Sequence, residues 1–323
     1  MLDNVSILAE LYDQRDKFFG IIIDEAHEVS NIQGSKAAFS LMSLVNYFDW
    51  ALALTATPMK INVSELVNLM YIMNREAIPD IKVCEGMLMT NGVQDFKDLI
   101  VVRTRKDLGI MSEYVPKVHL VKPTESQIGA SGRELFMLTK GEGATPQMDE
   151  LISIIQGYKP RRGLIFIHHH EVRRFVTSQL DKTNIDYACL NGKSTKQEVY
   201  DVCEEFNKGQ HDIIITSLTD ALDLDCDYIV FWEFTVAFKQ LIGRAERGLN
   251  PKMLFIHYIF TLDTDEPEYF YRNVYTRSLL TRTILGQNVN YIIEAMRKVD
   301  KLESDTKIEE SREIEEVLKL DVY

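Results

Sequence analysis

The sequence has no glycine-rich phosphate loop, since GxxxxGK[S/T] occurs nowhere in its 323 residues. One stretch has a suitable ending, Gly192-Lys193-Ser194-Thr195, but Tyr187 stands where the first glycine would be, so it reads as a strand-to-helix turn. No apolar run approaches the length needed to span a bilayer, and no membrane partner is expected. Met1-Leu2-Asp3-Asn4 lacks a basic segment followed by an apolar core, so a secretory leader is not expected either. Cysteine is scarce: Cys84, Cys189, Cys203 and Cys226 lie far apart and in no metal-ligand spacing. That excludes a disulfide framework and suits a reduced, intracellular protein. Positive charge is also short, with 36 Lys and Arg against 49 Asp and Glu and a net charge of −13. A general basic coat for nucleic acid is therefore excluded. Local patches remain at Arg103/Arg105/Lys106, Lys159/Arg161/Arg162 and Arg173/Arg174.

What is present is a normal globular composition, 46% apolar and 26% charged, in a chain long enough for two domains. The first half is organised around Phe18-Phe19-Gly20-Ile21-Ile22-Ile23-Asp24-Glu25-Ala26-His27. A nearly unbroken apolar run suits a strand buried on both faces of a parallel sheet. Asp24 and Glu25 would then stand at the carboxyl edge, where open α/β sheets collect their ligands. A helix of about ten residues follows Gly34. Next comes a second apolar strand, Trp50-Ala51-Leu52-Ala53-Leu54, ending in Thr55-Ala56-Thr57-Pro58. Helical spacing over 61–74 marks a core-facing helix. Leu99-Ile100-Val101-Val102 reads as a further strand with the basic end Arg103-Thr104-Arg105-Lys106.

From about residue 118 the pattern restarts. Strands are expected at 118–121, 163–170, 187–190, 212–217, 228–234 and 254–261, with helices over 148–157 and 198–207. Within a strand His168 and His170 would share one face, and with no Cys or carboxylate nearby the three histidines read as non-metal. Thr216 and Ser217 close the fourth of these strands as hydroxyls. In Gln240-Leu241-Ile242-Gly243-Arg244-Ala245-Glu246-Arg247 the two arginines fall three apart, on one helical face. Planar guanidiniums so placed suit bidentate phosphate binding, although surface ion pairs with Glu246 would use the same spacing. Two helices are expected near the end, the last one acidic.

Asp24-Glu25-Ala26-His27, Thr55-Ala56-Thr57-Pro58 and Gln240-x-x-Gly243-Arg244-x-x-Arg247 resemble motifs II, III and VI of superfamily 2 helicases and translocases. Val102-Arg103-Thr104-Arg105-Lys106, Val115-Pro116-Lys117 and the turn at 262–268 are similar to the Swi/Snf branch, a pattern shared by poxvirus-type nucleoside triphosphatases. The segment Leu218-Thr219-Asp220-Ala221-Leu222-Asp223 departs from the family in lacking glycines. The resemblance implies an α/β fold of two RecA-like parallel-sheet lobes, the first incomplete at its N-terminus, plus C-terminal helices. The corresponding boundaries are 1–115, 116–284 and 285–323. It implies ATP and Mg2+ as cofactors and nucleic acid, with DNA expected, as partner. Asp24 would hold Mg2+ through water and Glu25 would be the base. His27, Thr55 and Thr57 would couple the lobes, while Gln240, Gly243, Arg244 and Arg247 would face the phosphates. Arg103, Arg105, Lys106, Thr216 and Ser217 would contact the polymer. The missing phosphate loop is expected from a preceding segment or a separate chain. Cytoplasm or nucleus is the expected location, including a viral or phage protein in its host cell. A non-hydrolysing module that binds nucleic acid or a partner fits the same residues.

Overall fold

The computed structural model describes residues 10–32, 35–59, 62–103, 113–219, 222–235, 238–245, 252–270 and 284–285. They fall into two compact units, one drawn from Met1–Val102 and Leu279–Ile292, the other from Arg103–Ser278. Both carry parallel sheets with helices, the α/β architecture that the alternating apolar runs imply. Among the described residues no helix is long and apolar enough to cross a membrane.

Unit 1 is built on β1 (Gly20–Ile23) and β2 (Trp50–Ala53), paired in parallel from Gly20↔Trp50 to Ile23↔Ala53. Helix α1 (Lys36–Val45) is started by Ser35, whose hydroxyl oxygen accepts the Ala38 N–H. Helices α2 (Ser64–Met73) and α3 (Ile81–Asn91) follow, the latter capped by the Asp80 carboxylate on the Lys82 and Val83 N–H groups. Ile23, Ala26, Leu41, Met42, Val45, Leu69 and Ile72 form the core under the two strands. The β1 run was expected to be buried on both faces, and it is not. Side chains alternate along a strand, so Ile21, Ile23, Ala51 and Ala53 pack on this core while Ile22 (58% exposed) and Trp50 (51%) face the other way. Gly20 has a steric reason: the Trp50 indole lies across it and would overlap any Cβ. Residues 100–103 are not a strand, contrary to expectation, and residues 104–106 lie outside the described residues.

Unit 2 runs β3 (Glu113–Val121), α4 (Gly132–Lys140), α5 (Thr145–Tyr158), β4 (Gly163–Phe166), α6 (His170–Leu180), β5 (Tyr187–Leu190) and α7 (Lys196–Asn207). It continues with β6 (Ile213–Thr216), β7 (Tyr228–Phe231), α8 (Phe238–Arg244), β8 (Met253–Thr261) and α9 (Glu266–Phe270). Among the described residues its six strands lie in the order β3-β8-β7-β4-β6-β5, every pair parallel. Strands β4, β6 and β7 are buried at every position, which explains their unbroken Ile, Val and Phe runs. Pro116 is tolerated inside β3 because that strand is an edge and pairs only with β8. Gly192-Lys193-Ser194-Thr195 is a turn, with Thr195 and Glu198 closing a capping box on α7. The chain leaves β4 toward β5 on one side and β7 toward β8 on the other. The carboxyl ends of β4 and β7 therefore flank the topological switch point of this sheet.

Candidate functional site

In unit 1, backbone bonds tie the ends of the two strands together. The Leu54 N–H donates to Ile23 O (2.8 Å) and the Ala26 N–H to Leu54 O (2.9 Å), bringing 55–57 alongside 25–27. Glu25 sits in the left-handed region (φ 49°, ψ 45°), a conformation that costs a non-glycine residue roughly 1 kcal/mol or more. Asp24 is exposed, and its Oδ1 accepts the Glu25 N–H at 2.9 Å.

His27 is buried at the centre of the cluster. Its Nδ1 lies 2.9 Å from Thr55 Oγ1, 3.2 Å from Thr57 Oγ1 and 3.4 Å from Glu25 Oε2. Its Nε2 lies 2.9 Å from Glu28 Oε1. A carboxylate accepts only, so Nε2 carries a proton toward Glu28, while Nδ1 faces the two threonine hydroxyls and the Glu25 carboxylate. The Thr57 N–H in turn donates to Thr55 Oγ1 at 3.0 Å. Glu25, His27, Thr55 and Thr57 are thus brought together. Glu28, which sets the tautomer, was not singled out; its place beside His27 was the one available signal. Asp24, an exposed carboxylate just past β1, offers a hard oxygen donor of the kind that would hold Mg2+. Among the described residues no cluster of three or more His, Cys, Asp or Glu is arranged to hold a metal by itself.

In unit 2, helix α8 carries Gln240, which is buried, Gly243, which is exposed, and Arg244, which is half-buried. Its end is pinned by the Leu224 N–H donating to Arg244 O and the Cys226 N–H donating to Ala245 O, each at 3.0 Å. Arg247 lies outside the described residues, as do Arg105 and Lys106, while Arg103 is exposed. Thr216 is buried, its hydroxyl oxygen accepting the Leu218 N–H at 2.9 Å; Ser217 is half-buried and accepts from Arg173 at 3.5 Å.

Part of the basic patch at 159–162 is spent internally. The Arg162 guanidinium donates to the Phe206, Asn207 and Asp225 oxygens, and Lys159 pairs with Asp212 at 2.8 Å. Burial alone would raise the Asp225 carboxyl, but Lys252 and Arg162 outweigh it and hold the group below the usual carboxylate range.

His168, His169 and His170 do not lie in a strand. Strand β4 ends at Phe166 and His170 opens α6. Glu233, just past β7 and only 4% exposed at its side chain, accepts the His168 and His169 N–H groups at 3.2 Å and the His169 Nδ1–H at 2.7 Å. A single buried carboxylate therefore fastens the segment that leads into α6 and orients an imidazole. Glu233 was not singled out in the sequence, where it is one acidic residue among aromatics.

Residues 146–248 match the family described as the helicase conserved C-terminal domain. Those residues, all within unit 2, are similar to a helicase C-terminal domain. The match spans β4 to β7, the three histidines and α8, and it agrees with the superfamily 2 resemblance read from the motifs. Among solved structures, the Sulfolobus solfataricus SWI2/SNF2 ATPase core in complex with dsDNA is similar at 17% identity and a TM-score of 0.43, over 92% of this chain and 75% of that one. At that identity and score the likeness is distant. No curated protein matches the chain.

Proposed function

We propose that the chain is part of a nucleic-acid-dependent ATP hydrolase of the helicase and translocase type, on the Swi/Snf-like branch of superfamily 2, with DNA as its polymer. The observation that carries this reading is the Glu25–His27–Thr55–Thr57 cluster at the carboxyl end of β1, in a chain that also has residues similar to a helicase C-terminal domain. Bound Mg2+ would neutralise charge on the transferring phosphoryl group. Asp24 is the residue to hold it, through water. Glu25 takes the proton of the attacking water, and its left-handed backbone aims the side chain back toward His27. The two threonine hydroxyls fix the ring of His27 and, through it, the range over which Glu25 swings. Gln240, Arg244 and Arg247 deliver donors to the phosphates, the arginines as charge-stabilising fingers.

No phosphate loop occurs in the 323 residues, so another segment or chain is proposed to supply it. That same lack, with the glycine-poor segment after Ser217, favours a second reading: a module that binds nucleic acid or a partner without turnover.

The test is ATP turnover with and without DNA for the wild-type chain, Glu25→Gln and Arg244→Gln. We expect low turnover from the chain alone. In any preparation that turns over, Glu25→Gln should lower kcat by about 100-fold or more. Robust hydrolysis by the purified chain alone would refute the external loop. Turnover indifferent to Glu25→Gln would refute the assignment of the base. DNA binding with no ATPase under any supplementation would select the second reading.

A further inference from the structure

The sequence contains two Asn-Gly pairs, Asn91-Gly92 and Asn191-Gly192, and the fold treats them differently. Asn191 follows β5 and starts the turn that leads into α7. Its Oδ1 accepts the Lys193 N–H at 3.0 Å, its own N–H donates to Ser194 Oγ at 3.1 Å, and its carbonyl accepts the Ser194 N–H at 2.8 Å. The Lys193 bond closes a ring that contains the Gly192 nitrogen, so the carboxamide stays folded back over that nitrogen. Gly192 is exposed, and among the described residues its N–H makes no hydrogen bond. Apart from its chain neighbours, no atom lies within 4 Å of where a Cβ would stand. Asn91, by contrast, is the last residue of α3. There the Gly92 N–H donates to Leu88 O, closing the helix, and Asn91 Nδ2 donates to Asp95 Oδ2 at 2.8 Å.

We propose that Asn191 is a self-modification site, at which the Gly192 nitrogen converts the asparagine into aspartate and isoaspartate with water as co-reactant. The inference stands apart from the ATP and nucleic-acid readings above. The Gly192 nitrogen attacks Asn191 Cγ and forms a bond to it. The electron pair displaced from the C=O settles on Oδ1, where the Lys193 N–H already donates and stabilises the charge. The carbonyl then re-forms, the Cγ–Nδ2 bond breaks, and Nδ2 leaves as ammonia with the proton that Gly192 gave up. Water opens the resulting cyclic imide in one of two ways. Cleavage of the new bond gives aspartate, and cleavage of the original Asn191–Gly192 peptide bond gives isoaspartate. Glycine brings no Cβ to hinder the attack, and its exposure admits the water. At Asn91 the corresponding nitrogen is held in the last helical hydrogen bond, which has to open first. The Asp95 carboxylate there also opposes charge building on the amide oxygen. The two products act differently on the turn. Aspartate can accept the Lys193 N–H as asparagine does, and it places a negative charge ahead of α7, where the helix dipole favours it. Isoaspartate adds a methylene to the main chain. That displaces the bonds to Ser194 and the Ser217 N–H to Leu190 O bond, 3.3 Å, which ties the end of β5 to β6. Loss of ammonia makes the change one-way, so each molecule carries a record of its time in solution.

The test is incubation of the full 323-residue chain at pH 8 in water labelled with heavy oxygen, followed by peptide mapping with mass spectrometry at both Asn-Gly pairs. In the folded chain we expect conversion at Asn191 to outrun that at Asn91 by about fivefold, the factor that one hydrogen bond to be opened is worth. Heavy oxygen should enter both products at position 191. In urea, where neither turn nor helix persists, the two rates should agree within about twofold. Gly192→Ala, whose Cβ meets open space, should melt as the wild type does and convert at Asn191 no faster than the wild type does at Asn91. Equal rates at the two sites in the folded chain, a gap of the same size in urea, or conversion at Asn191 that is indifferent to Gly192→Ala would overturn the proposal.

Discussion

His257 shows how one buried side chain ties stability to pH. It lies on β8, almost fully buried, its Nδ1 2.8 Å from His119 Nε2, while His119 Nδ1 meets Glu150 Oε1 at 2.6 Å. Its other nitrogen has no hydrogen-bond partner among the described residues. Burial first, then the nearby His119 and Lys117, pushes its pKa down to about 3. The folded chain therefore keeps this imidazole neutral, whereas the unfolded chain protonates it near pH 6.5. Stability from this residue is complete above that value and is lost as pH falls toward about 3. The slope is at most about 1.4 kcal/mol per pH unit, or about 2 kcal/mol between pH 6.5 and pH 5. Thermal melting at pH 7 and pH 5 should show the loss, and His257→Phe, which keeps a planar ring but has no group to protonate, should flatten it. An equally steep fall in His257→Phe would assign the acid sensitivity elsewhere.

Elements that the sequence pattern made plain are those buried on both faces. The runs at Ile213-Ile214-Ile215 and Tyr228-Ile229-Val230-Phe231 lie within β6 and β7. The motif residues at the ends of β1 and β2 were equally legible, because parallel pairing places matched strand ends at one edge. Less was legible where a property depends on distant partners. Helix α4 is short and bordered by Gly129 and Gly132, both at positive φ, and by Gly141, which hides its apolar spacing. Its last residue, Lys140, is buried with Nζ 2.9 Å from Glu266 Oε1 at the start of α9 and 3.0 Å from Ile259 O. The Trp232 and Phe234 rings lie 5.7 Å and 5.1 Å from the same ammonium. Glu266 Oε2 accepts the Thr261 N–H at 2.7 Å, so the pair fastens the turn after β8 to α4. No local pattern announces a lysine whose partner comes from the far end of the unit. Lys140→Met would leave a nearly buried carboxylate without its cation, at a cost of about 3–5 kcal/mol. We expect the transition that reports unit 2 to fall by about 10 °C, and Lys140→Met/Glu266→Gln to recover much of that loss. A shift of no more than a degree or two would mean that solvent or other groups satisfy Glu266.

At the scale of the whole molecule the two units differ in how well their sheets are covered. Unit 2 buries β4, β6 and β7 at every position and adds a contiguous apolar cluster from Met148 to Ile259. Among the described residues, unit 1 has a two-stranded sheet with Ile22, Trp50, Leu52 and Leu54 exposed, and Phe19 beside them is 81% exposed. Two strands with one face uncovered add little cooperative stability, and apolar area left in water contributes nothing to the hydrophobic term. Unit 1 is therefore expected to unfold first. The chain supplies its own reporters, since it has only two tryptophans, Trp50 in unit 1 and Trp232, fully buried, in unit 2. In Trp232→Phe the remaining fluorescence follows unit 1, and in Trp50→Phe it follows unit 2. Urea titrations of the two variants should give a lower midpoint for Trp50 than for Trp232, and far-UV circular dichroism of the wild type should lose signal in two steps. Coincident midpoints for both tryptophans and a single step in circular dichroism would show that the sheet of unit 1 is stabilised as part of one cooperative unit with unit 2.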